Sequence, residues 1–226
     1  MHYQTIVQGV FLERPNRFIA LVEIDGAPQI CHVKNTGRCR ELLIPGTQVF
    51  LEHSVHPARK TAYDLIAVVK NGRLINMDSQ APNKAAGEWL SSGGLYSEVS
   101  TLKPECPYGG SRLDFYVEGD RKRGFVEVKG VTLEQNGAVL FPDAPTSRGT
   151  KHLRELIQCV EDGLEAYVLF VIQMKGAAYF TPNDGTDPAF GQALRQAAKA
   201  GVTLLAYDCE VTPSSMRIAN PVEICL

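Results

Sequence analysis

The sequence predicts an α/β chain, α+β overall: a small all-β domain at residues 1–82 and a mixed-sheet domain at residues 83–226. Three features predict it. Five short runs of strand character, punctuated by turn residues, lie within the first 80 residues. A charged loop at 118–124 joins two strands of alternating polarity. Farther on, two apolar strands flank a capped helix, the order of a βαβ unit. With 226 residues, 44% of them hydrophobic, the chain can bury a proper core and is not disordered.

The N-terminal strands are expected at 18–24, 29–33, 48–52, 63–70 and 73–76. Asp25-Gly26 and Asn71-Gly72 sit between apolar runs and signal tight hairpins. Five short strands in this space suit a small closed barrel such as an OB-fold. Arg14, Arg17, Lys34, Arg38 and Arg40 fall near strand ends and turns. Grouped on one face they would track a phosphate backbone; singly, each reads as a solvated surface cation. Phe18 and Phe50 are expected in the core, so no stacking platform is evident. Asn35 and Gly37 read as turn residues.

Residues 84–90 read as a short helix at the domain boundary, with Trp89, the chain's only tryptophan, as a buried anchor between domains. In the next strand Leu113, Phe115 and Val117 alternate with Arg112, Asp114 and Tyr116. In the strand after the loop, residues two apart share a face. Glu127 and Lys129 therefore point together, while Val126 and Val128 face a core. Pairing the two strands brings Asp114 close to Glu127 and Lys129. Two carboxylates supply hard oxygen ligands for Mg²⁺ (or Mn²⁺), and the Val128 carbonyl can add another. The Lys129 ammonium can orient or deprotonate an attacking water, or neutralise a transition-state phosphate. The spacing D-x(12)-E-x-K is that of the PD-(D/E)XK nucleases. Taken alone it fits a solvated salt bridge on an exposed hairpin equally well.

A turn and strand are expected at 132–140, then a loop at 141–149. Thr150 is the expected cap of the next helix. Its buried face is Leu153, Leu156, Ile157 and Val160, and Gly163 ends it. Arg148, Lys151 and His152 sit at its start, where cations oppose the macrodipole unless a phosphate binds there. His152 reads as a general acid or, preferably, a hydrogen bonder at the core edge. An apolar strand at 166–174, a helix at 188–199 capped by Asp187 with Pro188 first, and a strand at 202–207 complete the pattern.

Several blocks occur together in one order: His32-Val33-Lys34-Asn35-Thr36-Gly37, Pro45-Gly46, Ser111-Arg112-Leu113-Asp114-Phe115, Val126-Glu127-Val128-Lys129-Gly130, and the stretch from Phe141 to Leu156. They closely resemble the sugar fermentation stimulation protein A (SfsA) family and cover most of the chain. The resemblance implies an N-terminal OB-fold domain, a C-terminal PD-(D/E)XK nuclease-like domain and DNA as partner. It implies catalytic roles for Asp114, Glu127 and Lys129, with Asp114, Glu127 and Val128 at the metal. Glu98 matches the carboxylate that such nucleases often add from the first helix. The stretch 100–110, with Pro104, Cys106 and Pro107, looks longer than the pattern and can carry Glu98 out of reach. The implied function is a metal-dependent nuclease. The alternative is a DNA-binding regulatory protein of sugar metabolism whose nuclease-like site is quiescent. No helix-turn-helix pattern supports sequence reading, and no Gly-rich phosphate loop supports a small phosphorylated substrate.

Net charge is −2, which excludes a polycationic nucleic-acid binder. Residues 1–80 hold nine Lys/Arg against seven Asp/Glu, and residues 81–226 fourteen against eighteen. None of the six cysteines forms a C-x-x-C pair, so a zinc site is not expected. No charged segment precedes an apolar one at the N-terminus, so no signal peptide is expected. The longest apolar run, 166–172, is far short of the ~20 residues of a membrane helix. The expectation is a cytoplasmic protein with no membrane partner; the sequence sets no oligomeric state.

Overall fold

A computed structural model describes residues 1–35, 37–54 and 59–226. Thr36 of the 32–37 block therefore lies outside the described residues. The N-terminal sheet holds β1 (Ile6–Asn16), β2 (Ile19–Ile24), β3 (Ala27–Val33), β4 (Gln48–His53), β5 (Tyr63–Lys70) and β6 (Arg73–Asn76). The strand order is β3-β2-β1-β4-β5-β6, and a parallel β3–β5 pairing closes the first five into an OB-type barrel. Asp25-Gly26 and Asn71-Gly72 both have positive φ at both residues, as a tight hairpin of primed type requires.

Sequence reasoning missed β1. Only Gly9 and Phe11 are buried along it, so it carries no apolar alternation to read. A Cβ at Gly9 would meet Val22 Cγ1 at 2.5 Å and the Glu23 carbonyl at 2.7 Å; glycine lets β1 lie close on β2. Phe18, expected in the core, is 44% exposed, with the Arg17 guanidinium 4.7 Å from its ring centre.

The second domain comprises α1 (Ala81–Ser91), β7 (Val99–Tyr108), β8 (Ser111–Gly119), β9 (Lys122–Val131), β10 (Leu133–Gln135), β11 (Ala138–Phe141), α2 (Ser147–Glu161), β12 (Glu165–Ile172), β13 (Tyr179–Pro182), α3 (Pro188–Lys199), β14 (Thr203–Thr212), β15 (Ser215–Pro221) and β16 (Glu223–Ile224). Its main sheet runs β15-β14-β12-β9-β8-β7. β12 is parallel to both β9 and β14, and α3 makes the expected βαβ crossover. Ala81, Ala85, Ala86 and Leu90 of α1 share one core with Phe115, Val126, Val128 and Leu169. Leu153, Leu156 and Cys159 of α2 share the other with Phe125, Val168 and Phe170. β12 is thus covered on both faces, which explains its unbroken apolar run. A small sheet, β10-β11-β13-β16, was not expected from the sequence.

Three local expectations are corrected. Trp89 is half-buried and packs 5.0 Å from the Tyr207 ring inside the second domain, not between domains. The stretch 99–108, given no element by the sequence, is a full strand, β7, because β8 offers a paired partner along its length. Helix α2 starts at Ser147, where the Thr146 side chain accepts from the Gly149 N–H at 3.0 Å. Thr150 therefore lies inside the first turn. The buried face of α2 is Gly149, His152, Leu153, Leu156 and Cys159.

At the junction, the Asn76 amide donates to the Gln173 carbonyl at 2.9 Å. Gln173 Nε2 in return reaches the carbonyls of Asn76 at 3.0 Å and Asp78 at 3.1 Å. Among the described residues no helix is long and apolar enough to cross a membrane.

Candidate metal site and nucleic-acid surface

The site lies where β8 and β9 part. Their ladder runs from Gly119 opposite Lys122 to Phe115 opposite Val126 and stops. One step farther, Asp114 fills the gap with its side chain. Its Oδ2 accepts the Val128 N–H at 2.7 Å, and its Oδ1 accepts Asn83 Nδ2 of α1 at 2.8 Å. Sequence reasoning missed Asn83, because a helix begun at residue 84 leaves it outside α1, which starts at Ala81.

Glu127 projects to the α2 side and is only 2% exposed. Its Oε1 accepts from Lys129 Nζ at 2.5 Å and from His152 Nδ1 at 2.5 Å. Its Oε2 is buried and has no hydrogen-bond partner among the described residues. Burial pushes the Glu127 carboxyl up, but the His152 bond and the Lys129 charge outweigh it and hold it below the ordinary range. Asp114 goes the other way. Burial and the Glu127 charge raise it, and the Val128 and Asn83 bonds do not offset them. Glu127 and Lys129 meet at 2.5 Å, and the charges of both act on the Asp114 carboxyl.

These groups fit a divalent ion. A free buried carboxylate oxygen and a neighbouring carboxylate under like-charge repulsion are both satisfied by one hard cation. Among the described residues no group of three or more His, Cys, Asp or Glu gathers as a metal cluster. Two carboxylates, Asp114 and Glu127, are the hard oxygen donors here.

Glu98 is not brought to this site. Its N–H donates to Asp120 Oδ1 at 2.9 Å, beside the β8–β9 turn. Val99 pairs with Gly119, five residues along β8 from Asp114, or about 16 Å at the rise of an extended strand. The physical reason is β7 itself, which carries Glu98 to the far end of the hairpin.

His152, grouped with Arg148 and Lys151 as a phosphate-binding cation, is 3% exposed and faces Glu127, the place of the core-edge hydrogen bonder that was its preferred reading. Arg148 Nε donates to its Nε2 at 3.4 Å, so the hydrogen-bond network puts the ring proton on Nδ1. Only Arg148 of the trio lies in the first helical turn, so the macrodipole argument applies to it alone. Ser111, Arg112, Ser147, Arg148 and Lys151 line an open groove of about 470 Å³ with His152 in its wall. Lys151 Nζ donates to the Gly110 carbonyl at 2.7 Å. Arg112 was not singled out, although strand alternation already set it on the polar face with Asp114.

The barrel cations divide. Arg14 donates to the carbonyls of Asn35 (2.6 Å), Arg17 (2.7 Å), Gly37 (2.8 Å) and Arg38 (2.8 Å), so it is a loop clamp. Lys34 lies 3.2 Å from Asp64, 3.5 Å from Glu52 and 3.7 Å from Asp78, enclosed by carboxylates. Burial drives Asp64 up, yet Arg59, Lys34 and His32 together hold it down at about 2. Arg17, Arg38 and Arg40 are exposed. Asn35 acts as the expected turn residue, its Oδ1 accepting the Gly37 N–H at 2.8 Å.

An OB-type barrel joined to a mixed-sheet domain, with an Asp, a Glu and a Lys where two strands part, defines the class of protein. Residues 12–77 match the model described as the SfsA N-terminal OB domain. Residues 80–215 match the one described as the sugar fermentation stimulation protein RE domain. The chain belongs to the sugar fermentation stimulation protein family. Its relatives include the homologues from Desulfitobacterium hafniense strain Y51, 60% identical over 100% of this chain and 99% of that one, and from Clostridium beijerinckii, 55% identical over 100% of both. The solved structure of Pyrococcus furiosus SfsA in complex with Ca²⁺ is similar throughout, with a TM-score of 0.90 at 28% identity over 100% of this chain and 98% of that one.

Proposed function

We propose that the protein hydrolyses phosphodiester bonds of DNA with a divalent ion, Mg²⁺ or Mn²⁺, held by Asp114 and Glu127. The observation that carries this reading is the buried Oε2 of Glu127, without a hydrogen-bond partner among the described residues, beside Asp114 at the opening between β8 and β9. Bound there, the ion supplies a Lewis acid for the phosphoryl oxygen and a more acidic water. Asn83 and the Val128 N–H hold Asp114 in place. Lys129 neutralises charge that develops on the phosphate or orients the attacking water. Arg112, Arg148 and Lys151 in the groove, with Arg17, Arg38 and Arg40 on the barrel, take backbone phosphates. The Ca²⁺ named with the Pyrococcus furiosus relative supports a divalent ion in this family. All six cysteines are free thiols, which supports a reducing cytoplasm.

The test is incubation of purified protein with plasmid, single-stranded and structured DNA in Mg²⁺ or Mn²⁺. Cleavage should vanish in Asp114→Ala and Lys129→Ala. Cleavage that survives both variants identifies a contaminant and removes the reading.

One observation favours a second reading, a DNA-binding regulatory protein with a quiescent site: the Lys129 ammonium is engaged by Glu127. DNA binding without turnover under any divalent ion would select it.

A further inference from the structure

Among the described residues, Glu127 Oε1 carries two donors while Oε2 carries none. One donor, Lys129, sits on a flexible four-carbon stem. In the proposed reaction its ammonium must turn toward phosphate or water, and it then leaves Oε1. The other donor cannot follow it. His152 is 3% exposed, on the buried face of α2 between Gly149 and Leu156. Leu153 and Leu156, both fully buried, fix the helix on the sheet. Arg148 holds Nε2 as an acceptor, so the Nδ1–H is directed at the carboxylate.

We propose that His152 is a positioning residue: its Nδ1–H clamps Oε1 of Glu127 so that Oε2 stays turned to the ion while Lys129 is released for chemistry. This rests on the reading of Glu127 as an ion ligand. A carboxylate bonded through its outer oxygen to a buried imidazole keeps one orientation, and outer partners of this kind typically govern metal affinity. The function of His152 is thus exerted through Glu127 and needs no contact with DNA.

The geometry supplies its own control. The amide nitrogen of asparagine can occupy the place of Nδ1, whereas that of glutamine falls at Nε2, toward Arg148. Mn²⁺ binding is measured by titration calorimetry on the full chain, without DNA, for wild type, His152→Ala, His152→Gln and His152→Asn, with a thermal melt of each. His152→Ala and His152→Gln should bind Mn²⁺ at least about tenfold more weakly than wild type, and His152→Asn within about threefold of it. Equal affinities of the Asn and Gln variants, or an Ala variant that binds like wild type, overturn the proposal. The Asn–Gln comparison decides the matter even where the Ala variant does not fold. Wild type that binds no Mn²⁺ overturns the ion-ligand reading and this proposal together; wild type that binds, with variants that do not differ, overturns this proposal alone.

Discussion

The N–H of Val128 donates to Asp114 Oδ2 at 2.7 Å, just where the β8–β9 ladder ends. A side chain here does the work of a strand partner. It keeps the Val128 N–H satisfied while the strands separate, and an opening forms without an orphaned donor. The same contact sets Asp114 against Glu127, and burial with like charge raises the Asp114 carboxyl.

Asp114→Asn should separate stability from function. The raised carboxyl means the neutral form is favoured in the folded protein. Its contribution is present at low pH and is lost as pH rises through the raised value. A neutral amide should therefore leave the metal-free melting temperature unchanged or higher. Wild type should gain about 2.7 kcal/mol from Mn²⁺ at a hundred times its dissociation constant, and Asp114→Asn should gain nothing. Calorimetric melts with and without Mn²⁺ check both statements.

Asp64 should dominate an acid limb of stability. Its folded value of about 2 lies below the ordinary carboxylate range. The stabilisation is fully present above that ordinary range and is lost as pH falls from roughly 4 toward 2. Asp64→Asn should flatten the melting temperature over this interval. A slope equal to wild type would rule out the Arg59–Lys34–His32 cluster as its source.

Lys34 and the exposed arginines should part company. Lys34→Met leaves Asp64 and Asp78 deprived of their shared cation, and breaking such a buried pair costs about 3–5 kcal/mol. Arg38→Ala and Arg40→Ala should stay within about 0.5 kcal/mol of wild type. Urea denaturation measures all three.

DNA affinity should show the opposite order. A cation on a phosphate contributes about 0.9 to the slope of log K against log salt. Arg112→Ala and Arg40→Ala should each lower that slope by about this amount. Arg14→Ala should lower stability and leave the slope alone, since its guanidinium is spent on four carbonyls. A slope that Arg112→Ala and Arg40→Ala both leave intact would place the DNA surface elsewhere.

Asp187 should matter to two helices. Its Oδ1 accepts the Phe190 N–H at 3.0 Å and caps α3, and its Oδ2 accepts the Thr146 N–H at 2.8 Å, at the cap of α2. Thr146→Ala should cost about 1 kcal/mol, as a lost cap does. Asp187→Ala should cost about 2 kcal/mol, because a second buried donor is stranded. Equal losses would mean that the link between the helices carries no energy.

What the sequence determined by itself is which side of each element a residue takes. Alternation put Glu127 with Lys129 and away from Val126 and Val128, and the structure keeps that arrangement. Asp-Gly and Asn-Gly placed two hairpins, and Asp187-Pro188 placed the start of α3. These are local rules, set by strand pleat, turn dihedrals and orphan N–H groups. Tertiary structure decided what each side chain meets. It brought Asn83 to Asp114 and His152 to Glu127, carried Glu98 to the far end of the hairpin, and enclosed Lys34 in carboxylates. Those outcomes depend on where a ladder stops, how a strand pairs and how a helix is phased on a sheet. Each is settled by packing between segments far apart in the chain, and periodicity within one segment holds no record of it.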